Sequence, residues 1–298
     1  MEHMYAENDP TQSTVNAEAA KRNAAQTQAA GALLRLLSKG LDTDSARPGN
    51  PDSDCAYANF TAWAEAGALT PTRPFNRDGE ALRNQLLTGF EVFALKFRAS
   101  GYSLDGDIAR WLATLNRVNM DKYTRESNRG NLYIWAGSGA ALQALLTRDA
   151  AAVAFEERVW RTAMEGIGDD GSLRSELTRG KRALIYHLFS FSATLVLRDA
   201  RAALGEAPSP QEQTKLALLA AKIGGWLCDP APLAVLAGQP QEMPDAGYFS
   251  VIAGYGADLL DADWTRCGHW PDPASDGRAG GDTKRAAAVL AKLAAAAR

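Results

Sequence analysis

The stretch Gly171-Ser-Leu-Arg-Ser-Glu-Leu-Thr-Arg-Gly-Lys-Arg-Ala-Leu-Ile-Tyr-His187 opens the longest helical pattern of the chain, which runs near 174–204. Arg179, Arg182 and Tyr186 stand at i, i+3 and i+7, so on a helix their side chains share one face. Two guanidiniums beside a phenol suit chemistry on an anion. Their fixed N–H forks bind carboxylate, and their charge favours the phenolate, a base. On spacing alone, the same residues equally describe an exposed basic helix face with a buried tyrosine.

Outward from this stretch, helical periodicity dominates and no train of alternating strands emerges. Helices are expected near 15–39, 54–67, 79–100, 105–122, 129–148, 150–165, 174–204, 211–227, 246–262 and 282–297. Arg47-Pro-Gly-Asn-Pro, Thr70-Pro-Thr-Arg-Pro, Gly168-Asp-Asp-Gly, Pro208-Ser-Pro and Pro271-Asp-Pro separate them. Ser209 or Pro210 is a natural start for the helix near 211–227. Leu86, Phe90, Phe93, Leu95 and Phe97 make one broad apolar face, and Leu216, Leu218, Leu219, Ile223 and Trp226 another. Helices of this kind pack on more than one side, as in a layered array of antiparallel hairpins. The expected organisation is a flexible N-terminal arm over 1–14 and a single all-α domain over 15–298.

The chain has 298 residues, enough for a full core. A net charge of −3 does not suggest a nucleic-acid partner, although a local basic cleft could hold a polyanion. No run approaches the roughly 18 apolar residues of a membrane span. The three histidines, His3, His187 and His269, argue against a multi-histidine metal centre. Cys55, Cys228 and Cys267 include no C-x-x-C pair. One disulfide, such as Cys228–Cys267, and three free buried thiols both remain open. The N-terminus shows no signal-peptide core, which fits either a removed leader or a native start without one.

The segment Gly171–His187 resembles the signature of the alginate lyases of the mannuronate lyase family, polysaccharide lyase family 5. That pattern reads Gly-x-Leu-x-x-Glu-Leu-x-Arg-x-x-Arg-Ala-Leu-x-Tyr-His, and every defined position matches. Trp63-Ala-Glu-Ala-Gly-Ala-Leu, Asn131-Leu-Tyr-Ile-Trp and Gly280-Gly-Asp are similar to weaker family motifs, so the resemblance spans roughly 54–285. It implies an incomplete α/α toroid with a tunnel-like cleft, acting on an acidic polyuronate by β-elimination with no metal or organic cofactor. It also implies a periplasmic or secreted protein, and the expected state is a monomer.

A uronate lyase removes the C5 proton beside a carboxylate, so donors that spread the developing charge make the step accessible. The resemblance assigns that task to Asn131 and Arg179. It makes Tyr186 the proton donor to O4, and the base where both groups leave from one side. A free phenol has a pKa of about 10, so the base role needs cations such as Arg179 and Arg182. Trp135 takes the place of a sugar-stacking tryptophan. Arg182, His187 and Asn128 complete the expected substrate contacts, with Arg129 beside Asn128. The family's catalytic histidine follows the asparagine directly, and here that position is Leu132. Losing a positioned base typically costs about 10²–10⁴ in rate.

Three outcomes follow. Tyr186 acts alone on a substrate of syn geometry such as guluronate or glucuronate, another residue replaces the histidine, or the protein holds glycan without cutting it. A lyase fold repurposed as a secreted effector or interaction protein is a further alternative. The same residues also fit purely structural roles. His187 reads as a hydrogen-bonded support, Arg182 as a partner of Glu176 or Asp170, and Asp282 as an N-cap. Lys96, Arg98 and Arg125 read as solvated or cleft-lining cations, and Tyr248 and Tyr255 as subsites or packing residues.

Overall fold

Proline and glycine breaks divide the chain into helices whose starts are set by side-chain caps. A computed structural model describes residues 1–6, 8–72, 75–104, 106–127 and 129–297. Among the described residues the α-helices are α1 (Ala17–Gln26), α2 (Gln28–Leu41), α3 (Pro51–Glu65), α4 (Arg77–Ala99), α5 (Gly106–Arg125), α6 (Asn131–Thr147) and α7 (Ala150–Gly166). They continue with α8 (Arg174–Leu177), α9 (Ala183–Ala203), α10 (Pro210–Cys228), α11 (Ala231–Ala237), α12 (Ser250–Tyr255), α13 (Ala262–Cys267) and α14 (Thr283–Ala296). Asn50, with Pro51 behind it, starts α3, and Ser209 and Glu212 form a reciprocal capping box at α10. Asp282 accepts from the Lys284 and Arg285 amides, the N-cap role read from Gly280-Gly-Asp.

The central helices are α4, α6 and α9. Nearly every residue of α6 from Tyr133 to Ala144 is buried, so this helix has no polar face and must lie inside a layered array. It packs on α4, α5, α7 and α9, while α9 also meets α10, α12 and α14. Two apolar clusters result. The larger joins α6, α7, α9, α10, α12 and α14. The smaller, on α2 to α5, centres on Phe60, Phe90, Phe93, Phe97 and Trp111. Burying each such aromatic side chain contributes roughly 1.5–3 kcal/mol. Val92 and Leu95 of α4 belong to the larger cluster and its phenylalanines to the smaller, so α4 is buried on two sides.

Several expectations need correction. The helix expected near 15–39 breaks at Thr27, which caps α1 and precedes α2. The span near 246–262 is a 3-10 turn, the short α12 and another 3-10 turn, interrupted at Gly256. Helices α11 and α13 were not expected, nor was a two-stranded pairing of β1 (Ser275–Asp276) with β2 (Gly281–Asp282). These elements are too short to carry a period. Cys228 and Cys267 form a disulfide with Cα atoms 5.2 Å apart, and free Cys55 is exposed rather than buried. Among the described residues no helix is long and apolar enough to cross a membrane.

Candidate active site

The signature stretch is not one helix. Helix α8 ends at Leu177, residues Gly180–Arg182 make a 3-10 turn, and α9 starts at Ala183. Gly180 has φ +54, a left-handed conformation that glycine adopts without a Cβ penalty, and this breaks the helix. The shared-face reading is therefore corrected, because Arg179 and Arg182 lie ahead of α9 rather than on it. The turn nevertheless brings them to the phenol. The Arg179 guanidinium carbon stands 3.5 Å from the Tyr186 ring centroid and that of Arg182 stands 5.5 Å away. Among the described residues, Arg179 Nε and Arg182 Nη1 are buried with no hydrogen-bond partner.

The first residues of the chain reach into the same place. Residues 4–6 and 8–16 fold back on one another, with Tyr5 bridged to Val15 and the Asp9 carboxylate accepting from the Thr11, Ser13 and Thr14 amides. Where the sequence reads as a flexible arm, the Tyr5 hydroxyl lies 2.5 Å from that of Tyr186, and Arg179 donates to the Gln12 carbonyl at 3.2 Å. Burial, then the neighbouring Tyr5, push the Tyr186 pKa above the usual phenol value, against the opposing pull of Arg179 and Arg182. The arginines alone therefore do not make a phenolate here. With Tyr5 in contact, Tyr186 holds its proton.

Glu176 ties the turn to α6. Its buried carboxyl accepts from Ser190 Oγ at 2.8 Å and from the Asn131 amide at 3.3 Å. Burial pushes its pKa up, while Ser190, Arg179 and Asn131 pull it down. Arg182 does not pair with Glu176 or Asp170. It donates to Tyr248 Oη at 3.3 Å and faces Glu242 at 3.7 Å. His187 is fully buried and is not among the residues lining the cavity, which corrects its placement as a substrate contact. Its Nε2 accepts from the Leu173 amide at 3.0 Å and its Nδ1 faces the Ala183 carbonyl at 2.8 Å, so the Nδ1–H tautomer satisfies both. Burial lowers its pKa to about 4. It joins the start of the signature to the start of α9.

The opposite wall is the start of α6. Asn131 and Leu132 line the cavity, and Asn84 donates to the Leu132 carbonyl at 2.8 Å. Trp135 does not line it. The ring is fully buried, 5.5 Å from Phe189, so the expectation of an available sugar platform is corrected. One helical turn past Leu132 the α6 face points into the layer between α4 and α9. Phe189 lines the cavity instead, one turn after Tyr186 on α9. The sequence reading also missed Tyr5 and Arg278. Arg278 pairs with Asp276 and stands 5.2 Å from the Phe189 centroid. It reaches the cavity because Gly277 passes so close to α4 that a Cβ on Gly89 would sit 2.1 Å from its carbonyl oxygen. No helical spacing signals such a contact. Tyr248 lines the cavity, whereas Tyr255 is buried and donates to the Ala279 carbonyl. Lys96 is buried against Asp42 and the Asp282 carbonyl, Arg98 donates to the last carbonyls of α6, and Arg125 lines the cavity. Arg129 lies over the Tyr133 ring at 4.4 Å, and Asn128 falls outside the described residues.

The cavity measures about 900 Å³, enough for several sugar rings. Arg77, Lys122, Arg125, Arg179, Arg182 and Arg278 line it, against Asp78, Glu126 and the Glu176 carboxyl. The site is cationic in a mildly acidic protein, so it favours an anion. Among the described residues no group of three or more His, Cys, Asp and Glu side chains is placed to hold a metal ion.

Comparison with known proteins agrees with this geometry. Residues 90–207 match the family model described as Alginate lyase. An alginate lyase of Pseudomonas syringae pv. tomato is 25% identical over 252 residues, covering 81% of this chain and 66% of that one. A polysaccharide lyase of Stenotrophomonas maltophilia is 28% identical over 164 residues, covering 53% and 50%. The chain thus spans half to just under two thirds of the length of these curated relatives. Among solved structures, a histidine-to-alanine variant of alginate lyase A1-III complexed with tetrasaccharide superposes with a TM-score of 0.77 at 18% identity, covering 98% of this chain and 82% of that one. Alginate lyase A1-III from Sphingomonas species A1 gives 0.73, also at 18% identity. The fold is the α/α toroid of these neighbours. The family model over residues 90–207, the relatives and the shared fold together make this chain similar to the alginate lyases.

Proposed function

We propose that this protein is a polysaccharide lyase that cleaves an acidic polyuronate by β-elimination, with Tyr186 as both base and acid. The observation that carries the reading is the pair of buried, unpartnered guanidinium donors, Arg179 Nε and Arg182 Nη1, flanking one phenol in a cationic cavity. Buried donors without acceptors are costly unless a ligand supplies the acceptor, and a uronate carboxylate does so. Arg179 and Asn131 take up charge as the C5 proton leaves. Tyr186, as phenolate, accepts that proton. The C5–H electrons form the C4–C5 double bond, the C4–O4 bond breaks, and Tyr186 returns the proton to the departing O4. The phenolate requires Tyr5 to leave Tyr186, because their contact favours the protonated phenol. Gln12 must likewise release Arg179 before a carboxylate takes its place. Leu132 supplies no base, so both transfers fall on Tyr186, which favours a substrate whose C5–H and C4–O4 leave from one side, as in mannuronate or glucuronate polymers; the expected guluronate is corrected, because inversion at its C5 puts that hydrogen on the face opposite O4. The Cys228–Cys267 disulfide accords with an oxidising compartment, periplasmic or extracellular.

A second reading is a relative that binds acidic glycan without cutting it. Leu132 at the cavity wall and the raised pKa of Tyr186 favour it. Incubating the protein with alginate, poly-mannuronate, poly-guluronate and polyglucuronate, and following ultraviolet absorbance of unsaturated ends, decides between them. A rise on a syn polymer supports the lyase. Saturable binding with no rise on any polymer supports the holding protein, and neither binding nor turnover rejects both.

A further inference from the structure

The two arginines stand on a turn that its own sequence leaves poorly held. Residues Gly180–Arg182 are a single 3-10 turn, and the first amides of α9 have no partner within their helix. The partner comes from far along the chain. Helix α11 ends at Gly238, with φ +71, and the loop after it turns back across the site. Gln241 there donates from Nε2 to the Gly180 carbonyl at 3.0 Å, while its Oε1 accepts from the Leu184 amide at 3.1 Å. One side-chain amide thus closes both ends of the segment containing Arg182. The Glu242 amide donates to the Lys181 carbonyl at 2.7 Å, and the Glu242 carboxylate meets Lys181 Nζ at 2.7 Å and Arg182 Nε at 3.7 Å. Gln239 covers Gly180 so closely that a Cβ there would lie 3.3 Å from its amide.

We infer that Gln241 and Glu242 are positioning residues that hold Arg182, and through it the cation–phenol geometry of Tyr186, in working register. The inference rests on the lyase reading for its kinetic consequences but not for its structural claim. Gln241 brackets Arg182 from a neutral side chain, so its removal moves the guanidinium without changing the charge of the site. Glu242 supplies the only carboxylate recorded facing Arg182 among the described ion pairs, and its loss frees both Arg182 and Lys181.

The test uses the intact protein with Gln241→Met, which keeps side-chain length and loses the hydrogen bonds to Gly180, Leu184 and the Gln239 carbonyl, and separately Glu242→Gln. Phenylglyoxal labelling, mapped by mass spectrometry, reads Arg182 directly. Its side chain is 12% exposed, whereas Arg161 is 65% exposed and serves as the internal control. Labelling of Arg182 is expected to accelerate several-fold in both variants, with Arg161 unchanged. Equal labelling of Arg182 in wild type and variants overturns the inference, whether or not the protein cuts any polymer. Where a polymer is cut, Gln241→Met is expected to lower kcat about 10–100-fold with KM changed far less, as a small misplacement of a positioned group does. In an Arg182→Met background it should then have little further effect. Losses that multiply in the double variant, or that track a lower melting temperature alone, reduce Gln241 to a structural role and overturn the positioning claim.

Discussion

The two walls of the cleft have fared differently. The wall built from the signature turn and α9 holds a phenol against two guanidiniums, and Ser190 of α9 ties down the buried Glu176 carboxyl of the same turn. The wall built from the start of α6 presents Asn131 and then Leu132, while its tryptophan lies in the core. The polar wall is anchored from three distant places, the N-terminal loop, α6 and the loop after α11. Groups that hold one another in this way resist piecemeal loss, since removing one leaves its buried partners unpaired. A side chain at position 132 has no such obligation, because Asn84 grips its backbone carbonyl rather than its side chain. The α6 wall can therefore change residue type without disturbing the frame.

The largest expected effect is on the polar wall. Tyr186→Phe should lower turnover by about 10⁴-fold if one phenol performs both proton transfers, with oligouronate affinity nearly kept. Unchanged production of unsaturated ends would move the chemistry to another residue. On the other wall, Leu132→His should raise turnover of poly-guluronate, whose C5–H and O4 lie on opposite faces, by about 10³-fold, within the range that a positioned base supplies. It should do less for poly-mannuronate, so the ratio between polymers is the sharper reading. A variant that leaves that ratio unchanged would mean that position 132 no longer faces the reacting carbon.

His187 lies behind the polar wall and tests how that wall is held. Its pKa falls from 6.5 to about 4 through burial, so the folded state binds fewer protons than the unfolded chain between those values. Stability from this group is therefore complete above pH 6.5 and drains away as pH falls towards 4, by at most about 3 kcal/mol. Asp199 has the opposite sign, because burial raises its pKa to about 6 and folding then gains as pH falls below 6. The melting curve of the wild type alone mixes these contributions. The difference between wild type and His187→Gln isolates the first, and it should shrink across the window from 6.5 to about 4. A difference that stays constant with pH would show that the imidazole is not kept neutral by the fold.

Much of the fold was legible because long helices advertise themselves. Helix α10 announces its start with Ser209 and Glu212, α4 shows its broad apolar face of Leu86, Phe90, Phe93, Leu95 and Phe97, and α6 announces by its lack of a polar face that it is interior. Convergence of Arg179, Arg182 and Tyr186 was also legible, although for the wrong local reason, since a left-handed Gly180 and a 3-10 turn replace the helix face. The remainder of the site was not. Tyr5 approaches Tyr186 across 181 residues and Gln241 meets Leu184 across 57. Neither contact obeys a period. Arg278 depends on Gly277 nestling against Gly89 of α4, a close approach encoded by the absence of side chains. Trp135 shows the converse failure. Its place in a motif pointed to sugar, but one turn deeper along α6 it lies in the core.

The smallest predicted effect concerns that tryptophan and settles what the α6 wall still contributes. Trp135 is fully buried, and its Nε1 has no hydrogen-bond partner among the described residues. Trp135→Phe therefore sacrifices no hydrogen bond and leaves only a modest cavity, so stability should fall by about 1–2 kcal/mol with KM for uronate polymers unaltered. Phe189, which meets Trp135 at 5.5 Å and lines the cavity, carries the opposite expectation. Phe189→Leu keeps most of the buried volume but removes a ring face worth about 0.5–1.5 kcal/mol in stacking, so KM should rise a few-fold with little loss of melting temperature. If instead Trp135→Phe raises KM at unchanged stability, the indole must swing into the cleft when sugar binds. The α6 wall would then still present a binding surface, although Leu132 itself supplies no base.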